Sequence, residues 1–151
     1  MKTTDQLARE IADREAIRDL VARYCDYVCR ADLDGLVRLF TEDGTFKVEG
    51  LEVEAIARGQ AQLKKLYAKA IAKLKTRLFI LNHVVDLRGE NRATGRCYVE
   101  VYSANFGMEW VGMGYYDDEY VKVGDEWKFA GRLYCMDAVD AGVSLRETFI
   151  A

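Results

Sequence analysis

Proton transfer is the chemistry that the side chains of this 151-residue sequence offer most readily. Tyr24 lies in an apolar stripe at helical spacing, and Tyr116 and Tyr134 lie on the inward-facing parity of two β-rich segments. Three phenols converging on one pocket could donate protons or hold an enolate or phenolate oxygen. A tyrosine cluster is equally a common core. Arg132 shares the parity of Tyr134 and Met136. An inward arginine requires a carboxylate, a phenolate or a substrate anion beside it. The run Asp117-Asp118-Glu119 on the neighbouring segment offers a purely structural partner, an ion pair at the sheet edge. A tyrosine of ordinary pKa ~10 needs such a cation within a few ångströms to act as a base near neutral pH. His83 is the sole imidazole. By strand parity it opposes Asn82 and faces out, unless a bulge at Asn82 flips it inward. Cys29 has no histidine near it to activate a thiolate and reads as pocket lining.

Composition limits the alternatives. One histidine excludes a three-histidine zinc site, and the four cysteines (Cys25, Cys29, Cys97, Cys135) lack metal-finger spacing, so no metal is expected. They read as reduced, buried thiols. The formal net charge is −3, and the lysines between Lys64 and Arg77 read as the wet face of a helix, which argues against nucleic acid. No apolar run approaches the ~18 residues that would span a membrane. The polar N-terminus does not resemble a signal peptide, so the expected compartment is the cytoplasm.

These residues need elements to hold them. Thr3-Thr4-Asp5-Gln6 is a capping box opening a helix whose stripe is Leu7, Ile11, Ile17, Leu20, Val21, Tyr24 and Val28. Asp32 caps a second short helix, Leu33 to Phe40. Thr41 to Gly44 is a turn signal, Thr45 to Glu49 a strand, and Gly50 and Gly59 bracket another short extended piece. Gln60 to Leu74 is an amphipathic helix. Then come four β-rich segments, Leu78–Leu87, Ala93–Ala104, Trp110–Val123 and Trp127–Met136, joined by short turns that make them antiparallel. The fold class is α+β over a single domain, 1–151: three N-terminal helices packed on a curled antiparallel sheet, a cone with a pocket between helix and sheet. Cys97, Val99, Val101 and Ser103 form a small, apolar face suited to the concave side. Gly112 and Gly114 share a face with Trp110 and Tyr116, which signals a bulge or a close approach there.

Five stretches carry a family resemblance: Ala16 to Tyr24, Asp32 to Leu36, Leu39 to Gly44, and, in the closing hairpin, Gly114 to Tyr120 and Gly124 to Arg132. They resemble the SnoaL-like family of the nuclear transport factor two-like superfamily, in the branch holding scytalone dehydratase, hexachlorocyclohexane dehydrochlorinase and bile-acid dehydratase. The resemblance implies a cone, an apolar pocket, no cofactor, and homodimers or homotrimers. It also implies elimination or isomerisation by an aspartate–histidine dyad. This sequence has Cys29 and Leu78 at the dyad positions, Val101 where a further acid stands, and Met136 at an arginine position. Tyr24, Arg132 and Asn82 match family site residues. The expected function is therefore a cofactor-free lyase or isomerase for a small hydrophobic, aromatic or oxygenated substrate. Tyr24, Arg132, Tyr116, Tyr134 and His83 are its catalytic candidates, and Cys29, Asn82, Leu78, Val99, Val101 and Met136 its substrate contacts. The alternative is a non-catalytic binding module of the same fold.

Overall fold

The protein, a computed structural model describing residues 1–50 and 55–150, begins with a 27-residue helix, α1 (Thr4–Arg30). The capping box forms as the sequence predicts, with Thr3 accepting from the Gln6 amide and Gln6 closing back on Thr3. Ile17, Leu20, Val21, Tyr24, Cys25 and Val28 are buried. Leu7 and Ile11 are 47% and 68% exposed. At 1.5 Å per residue α1 is about 40 Å long. Its first turns therefore run past the surface that buries the rest of the stripe. Asp32 caps α2 (Leu33–Arg38) through the Gly35 amide.

Strand β1 (Phe40–Val48) starts earlier than the turn signal implies. Thr41 to Gly44 are absorbed as an irregularity between two paired stretches, Phe40 with Phe129 and Thr45 with Gly131. Next come β2 (Ala55–Arg58), α3 (Gln60–Leu74), β3 (Thr76–Leu87), β4 (Arg92–Ser103), β5 (Glu109–Val123) and β6 (Glu126–Val139). The start of the extended piece after Gly50 falls outside the described residues. A short helix that the sequence reading did not include, α4 (Leu145–Phe149), follows and is capped by Ser144.

The six strands form one curled, unclosed sheet in the order β2-β1-β6-β5-β4-β3. The β3-to-β6 meander is antiparallel as expected, but β1 runs parallel to β6, which makes the sheet mixed. Long connections carry the chain from β1 to β6, so no tight hairpin forces that pair to be antiparallel.

Four register shifts interrupt the meander: at Ile80/His83, Val101/Tyr102, Met113/Gly114 and Glu119/Tyr120. Each inserts an unpaired residue and deepens the twist, which bends long strands around α1. At Gly114 a Cβ would run into the Cys135 carbonyl oxygen and the Met136 Cα. The two glycines on this face therefore mark a close approach of β6, not open space.

One prediction follows from that contact. Gly114→Ala lowers stability by about 1–3 kcal/mol, because neither backbone can move without undoing the bulge. Urea unfolding measures it, and an unchanged midpoint contradicts the packing.

Candidate functional site

Arg132 and Asp118 face each other across β6 and β5, and both side chains are fully buried. Arg132 Nε donates to Asp118 Oδ1 at 2.7 Å and Nη2 donates to Oδ2 at 2.8 Å, a two-pronged ion pair. The guanidinium is also packed among three aromatic rings, with its Cζ 3.9 Å from the Tyr116 centroid, 4.2 Å from Tyr24 and 4.3 Å from Phe129. Such contacts offset the desolvation of a buried cation. Burial opposes the charge, but the charge and hydrogen bonds of Asp118, together with Tyr24 and Tyr116, outweigh it and hold the Arg132 pKa well above its ordinary value. Nη1 is the one corner of the guanidinium with no hydrogen-bond partner. The acidic partner anticipated for Arg132 is thus real, but it sits in the core and not at the sheet edge.

The pair extends further. Tyr120 donates its hydroxyl to Asp118 Oδ2 at 2.8 Å, and His83 Nε2 lies 3.0 Å from that hydroxyl. His83 reaches it because β3 carries one extra residue between Ile80, opposite Val99, and His83, opposite Cys97. Leu81 and Asn82 both turn outward and are exposed. This corrects the strand-parity reading on both residues. Asn82 is no pocket asparagine, and His83 points inward, as a bulge at Asn82 would require. Gly95, opposite Asp118 and two residues along β4 from the rung of His83, makes room beside Tyr120. A Cβ there would lie 3.0 Å from the Tyr120 ring and would collide with the Val84 carbonyl oxygen. Burial lowers the His83 pKa, Arg132 and Arg18 lower it further, and Asp118 opposes them.

Between α1, α3, α4 and the sheet lies a cavity of about 50 Å³. Its apolar walls include Phe46, Leu78, Val101 and Phe149, and its polar atoms are mainly the phenols of Tyr24, Tyr67, Tyr116 and Tyr134. Tyr24 donates to the Tyr67 hydroxyl at 3.0 Å, and the Tyr116 and Tyr134 rings stack at 4.8 Å. Burial raises the pKa of all four phenols, and Arg132 only partly counters this at Tyr24, Tyr67 and Tyr116. The guanidinium is close enough to help a phenolate, but burial prevails. Burial therefore keeps these four phenols protonated, the form in which a hydroxyl can donate a hydrogen bond.

The other sequence candidates divide. Leu78 and Val101 line the cavity with Tyr24, Tyr116 and Tyr134. Cys29 does not. Its sulfur accepts from the Leu78 amide at 3.3 Å and the thiol donates to the Leu78 carbonyl at 3.7 Å, so the two dyad positions form a clasp joining α1 to β3. Val99 is buried outside the cavity wall, and Met136 packs over Gly112. Cys25 and Cys97 are pushed up to about 12 and about 11 by burial, which keeps them as thiols. Sequence reasoning missed Tyr67, Asp118 and Tyr120 as site residues. Tyr67 stands four residues from both Leu63 and Ile71 on the buried face of α3, and Asp118 and Tyr120 share the parity of Tyr116. Both signals were present in the spacing.

Comparison with known proteins places this geometry in context. The SnoaL-like domain family matches residues 9–132. No functionally curated protein matches the chain. Among solved structures, Rv3472 from Mycobacterium tuberculosis, a protein of unknown function, is 26% identical, with a TM-score of 0.79 over 93% of this chain and 82% of its own. An NTF2-like protein with a cystatin-like fold from Novosphingobium aromaticivorans is 26% identical, with a TM-score of 0.78 over 93% of this chain and 94% of its own. The hexachlorocyclohexane dehydrochlorinase LinA-type3 from Novosphingobium barchaimii LL02 shares the fold at 19% identity, with a TM-score of 0.77 over 91% of this chain and 97% of its own.

Two measurements test the buried network. Arg132→Met strands the Asp118 carboxylate and costs about 3–5 kcal/mol, whereas D118L/R132M together recover most of that loss. Urea titration of the three proteins reads it, and a double variant as unstable as the single one contradicts it. Folding also lowers the His83 pKa, so the unfolded chain binds the proton more tightly. The contribution of His83 to stability is complete above its unfolded value of about 6.5 and is lost as pH falls through the folded value. The unfolding midpoint should drop between pH 7.5 and pH 5, and less so in H83Q.

Proposed function

Because the chain belongs to the SnoaL-like domain family, we propose that it is a cofactor-independent lyase or isomerase acting by general acid–base chemistry on a small, hydrophobic, oxygen-bearing substrate. The observation that carries this reading is the set of neutral phenols around an apolar cavity, with a buried guanidinium against two of their rings. An apolar wall selects an apolar body, and hydrogen-bond donors fixed in a dry site favour charge that develops on a substrate oxygen. A phenol that donates to that oxygen can stabilise an enolate, or protonate a leaving hydroxyl so that it departs as water.

Cavity size sharpens the substrate class. One water needs about 10–15 Å³ of such space, so about 50 Å³ accommodates only a few waters. A ring-sized substrate enters by displacing Leu145 or Phe149, which belong to the five-residue helix α4 and line the cavity. The dehydrochlorinase among the structural neighbours is named for an elimination, the reaction type proposed here. On the same reading, residues 1–151 form one domain that works in the cytoplasm as a homodimer or homotrimer. Among the described residues no helix is long and apolar enough to cross a membrane.

A second reading, a non-catalytic small-molecule-binding module, is favoured by one specific feature. Among the described cavity-lining residues there is no carboxylate and no imidazole to accept a proton.

Exchange of the α-protons of cyclohexanone in D2O, followed by NMR, separates the two readings. Catalysed exchange that falls about 10²-fold in Y24F and in Y116F is expected for the enzyme. Saturable binding of the ketone without exchange would establish the module instead.

A further inference from the structure

We infer that the turn between β4 and β5, together with the adjoining end of α3, is a membrane-docking face that rests the mouth of the cavity on an anionic lipid bilayer. Docking of this kind is independent of the acid–base reading above.

The apolar part is the turn Asn105-Phe106-Gly107-Met108. Phe106 is 89% exposed and Met108 is 56% exposed. Gly107 takes a φ of 101°, which reverses the chain between them, and a Cβ there would meet nothing within 4 Å. Among the described residues nothing packs over the turn. It is nevertheless fastened down. The Ala104 amide donates to the Lys75 carbonyl at 3.2 Å, the Ser103 hydroxyl to the Leu74 carbonyl at 2.6 Å, and Asn105 Nδ2 to the Lys73 carbonyl at 3.0 Å. These bonds satisfy carbonyls that the C-terminal end of α3 leaves open, and they fix the turn against the helix.

The same bonds set the apolar tip beside cations. Lys73 and Lys75 are exposed, and Lys69 lies one turn back on the face of Lys73. Glu147 sits 3.8 Å from Lys73, and Asp140 turns onto the Gly142 amide. Lys69 and Lys75 have no carboxylate within 4 Å among the described residues. Glu109, exposed next to Met108, opposes docking.

Two apolar side chains on a convex turn fall far short of the roughly 800 Å² per partner that a stable protein interface covers. A bilayer needs no matching surface. Its interface takes up protruding apolar side chains, and its anionic headgroups attract nearby lysines. Trp110 is 39% exposed at the base of the turn and carries the amphipathic ring that settles at headgroup depth. Location gives the contact a use. Leu74 and Thr76, on either side of Lys75, line the cavity with Leu145 and Phe149 of α4. An apolar molecule dissolved in lipid would meet the cavity there without crossing water.

Co-sedimentation of the full chain with phosphatidylcholine vesicles containing about one-third phosphatidylserine tests the docking. The wild type should sediment with them, and the emission of Trp110, the exposed one of the two tryptophans, should shift to shorter wavelength. Partitioning should fall about tenfold or more in F106S/M108S and in K69E/K75E, and rise severalfold in E109K. Urea unfolding of F106S/M108S should match the wild type, because both side chains are exposed. A wild type that stays in the supernatant, or an F106S/M108S variant that sediments as well as the wild type, would overturn the docking. Self-association that disappears in F106S/M108S, with no vesicle binding, would assign the turn to a second copy and overturn it too. None of these readouts involves turnover, so cyclohexanone exchange without vesicle binding leaves the acid–base reading standing.

Discussion

The buried ion pair of Arg132 and Asp118 is the constraint on which the rest of this structure depends. Taking both ions out of water costs several kcal/mol each, so the surroundings must compensate closely. They do so with two charge-assisted hydrogen bonds, three aromatic rings against the guanidinium, and the Tyr120 hydroxyl on the carboxylate. Those same groups build the site. Tyr24 and Tyr116 are both ring neighbours of the cation and walls of the cavity. Tyr120 is both a ligand of the carboxylate and the hydrogen-bond partner of His83. Stability and site geometry are therefore not separable around Arg132, and a variant there must be read for folding before it is read for activity.

Curvature is the second ingredient. Strands of 12 to 15 residues would splay apart if flat. The bulges twist them around α1 and decide which side chains meet. The extra residue before His83 turns the imidazole to the inner face, and the shift at Met113/Gly114 brings β6 hard against two glycines. The clasp between Cys29 and Leu78 shows the same economy at the top of α1. Positions that hold an acid and a base in the family dyad here tie a helix to a strand, and the buried polar network lies further along the sheet.

Much of this was legible in the sequence. The capping box at Thr3, the Asp32 cap, the Gln60–Leu74 helix and the four meander strands are local signals, and local physics decides them. Tyr24, Tyr116 and Tyr134 were readable as inward residues because helical and strand periods hold over those stretches. What was not legible depends on pairing. No residue at 81 or 82 announces a bulge, since the register arises from β4 across the ladder. The parallel contact of β1 with β6 and the closing helix α4 likewise depend on tertiary packing. Asp118 was visible as an acidic partner and its inward parity follows that of Tyr116, but its pairing with Arg132 in the core rather than at the sheet edge depends on the β5–β6 ladder.

The central claim is that a small apolar molecule sits in the cone with its oxygen on the phenols, above the buried pair. A crystal structure of the protein soaked with p-cresol tests this most directly. The account predicts the ligand oxygen at hydrogen-bond distance, about 2.7 Å, from the Tyr24 or Tyr67 hydroxyl, with α4 displaced and the Arg132–Asp118 pair unmoved. A ligand found only outside the cone, with the phenol cluster still closed on itself, would contradict it.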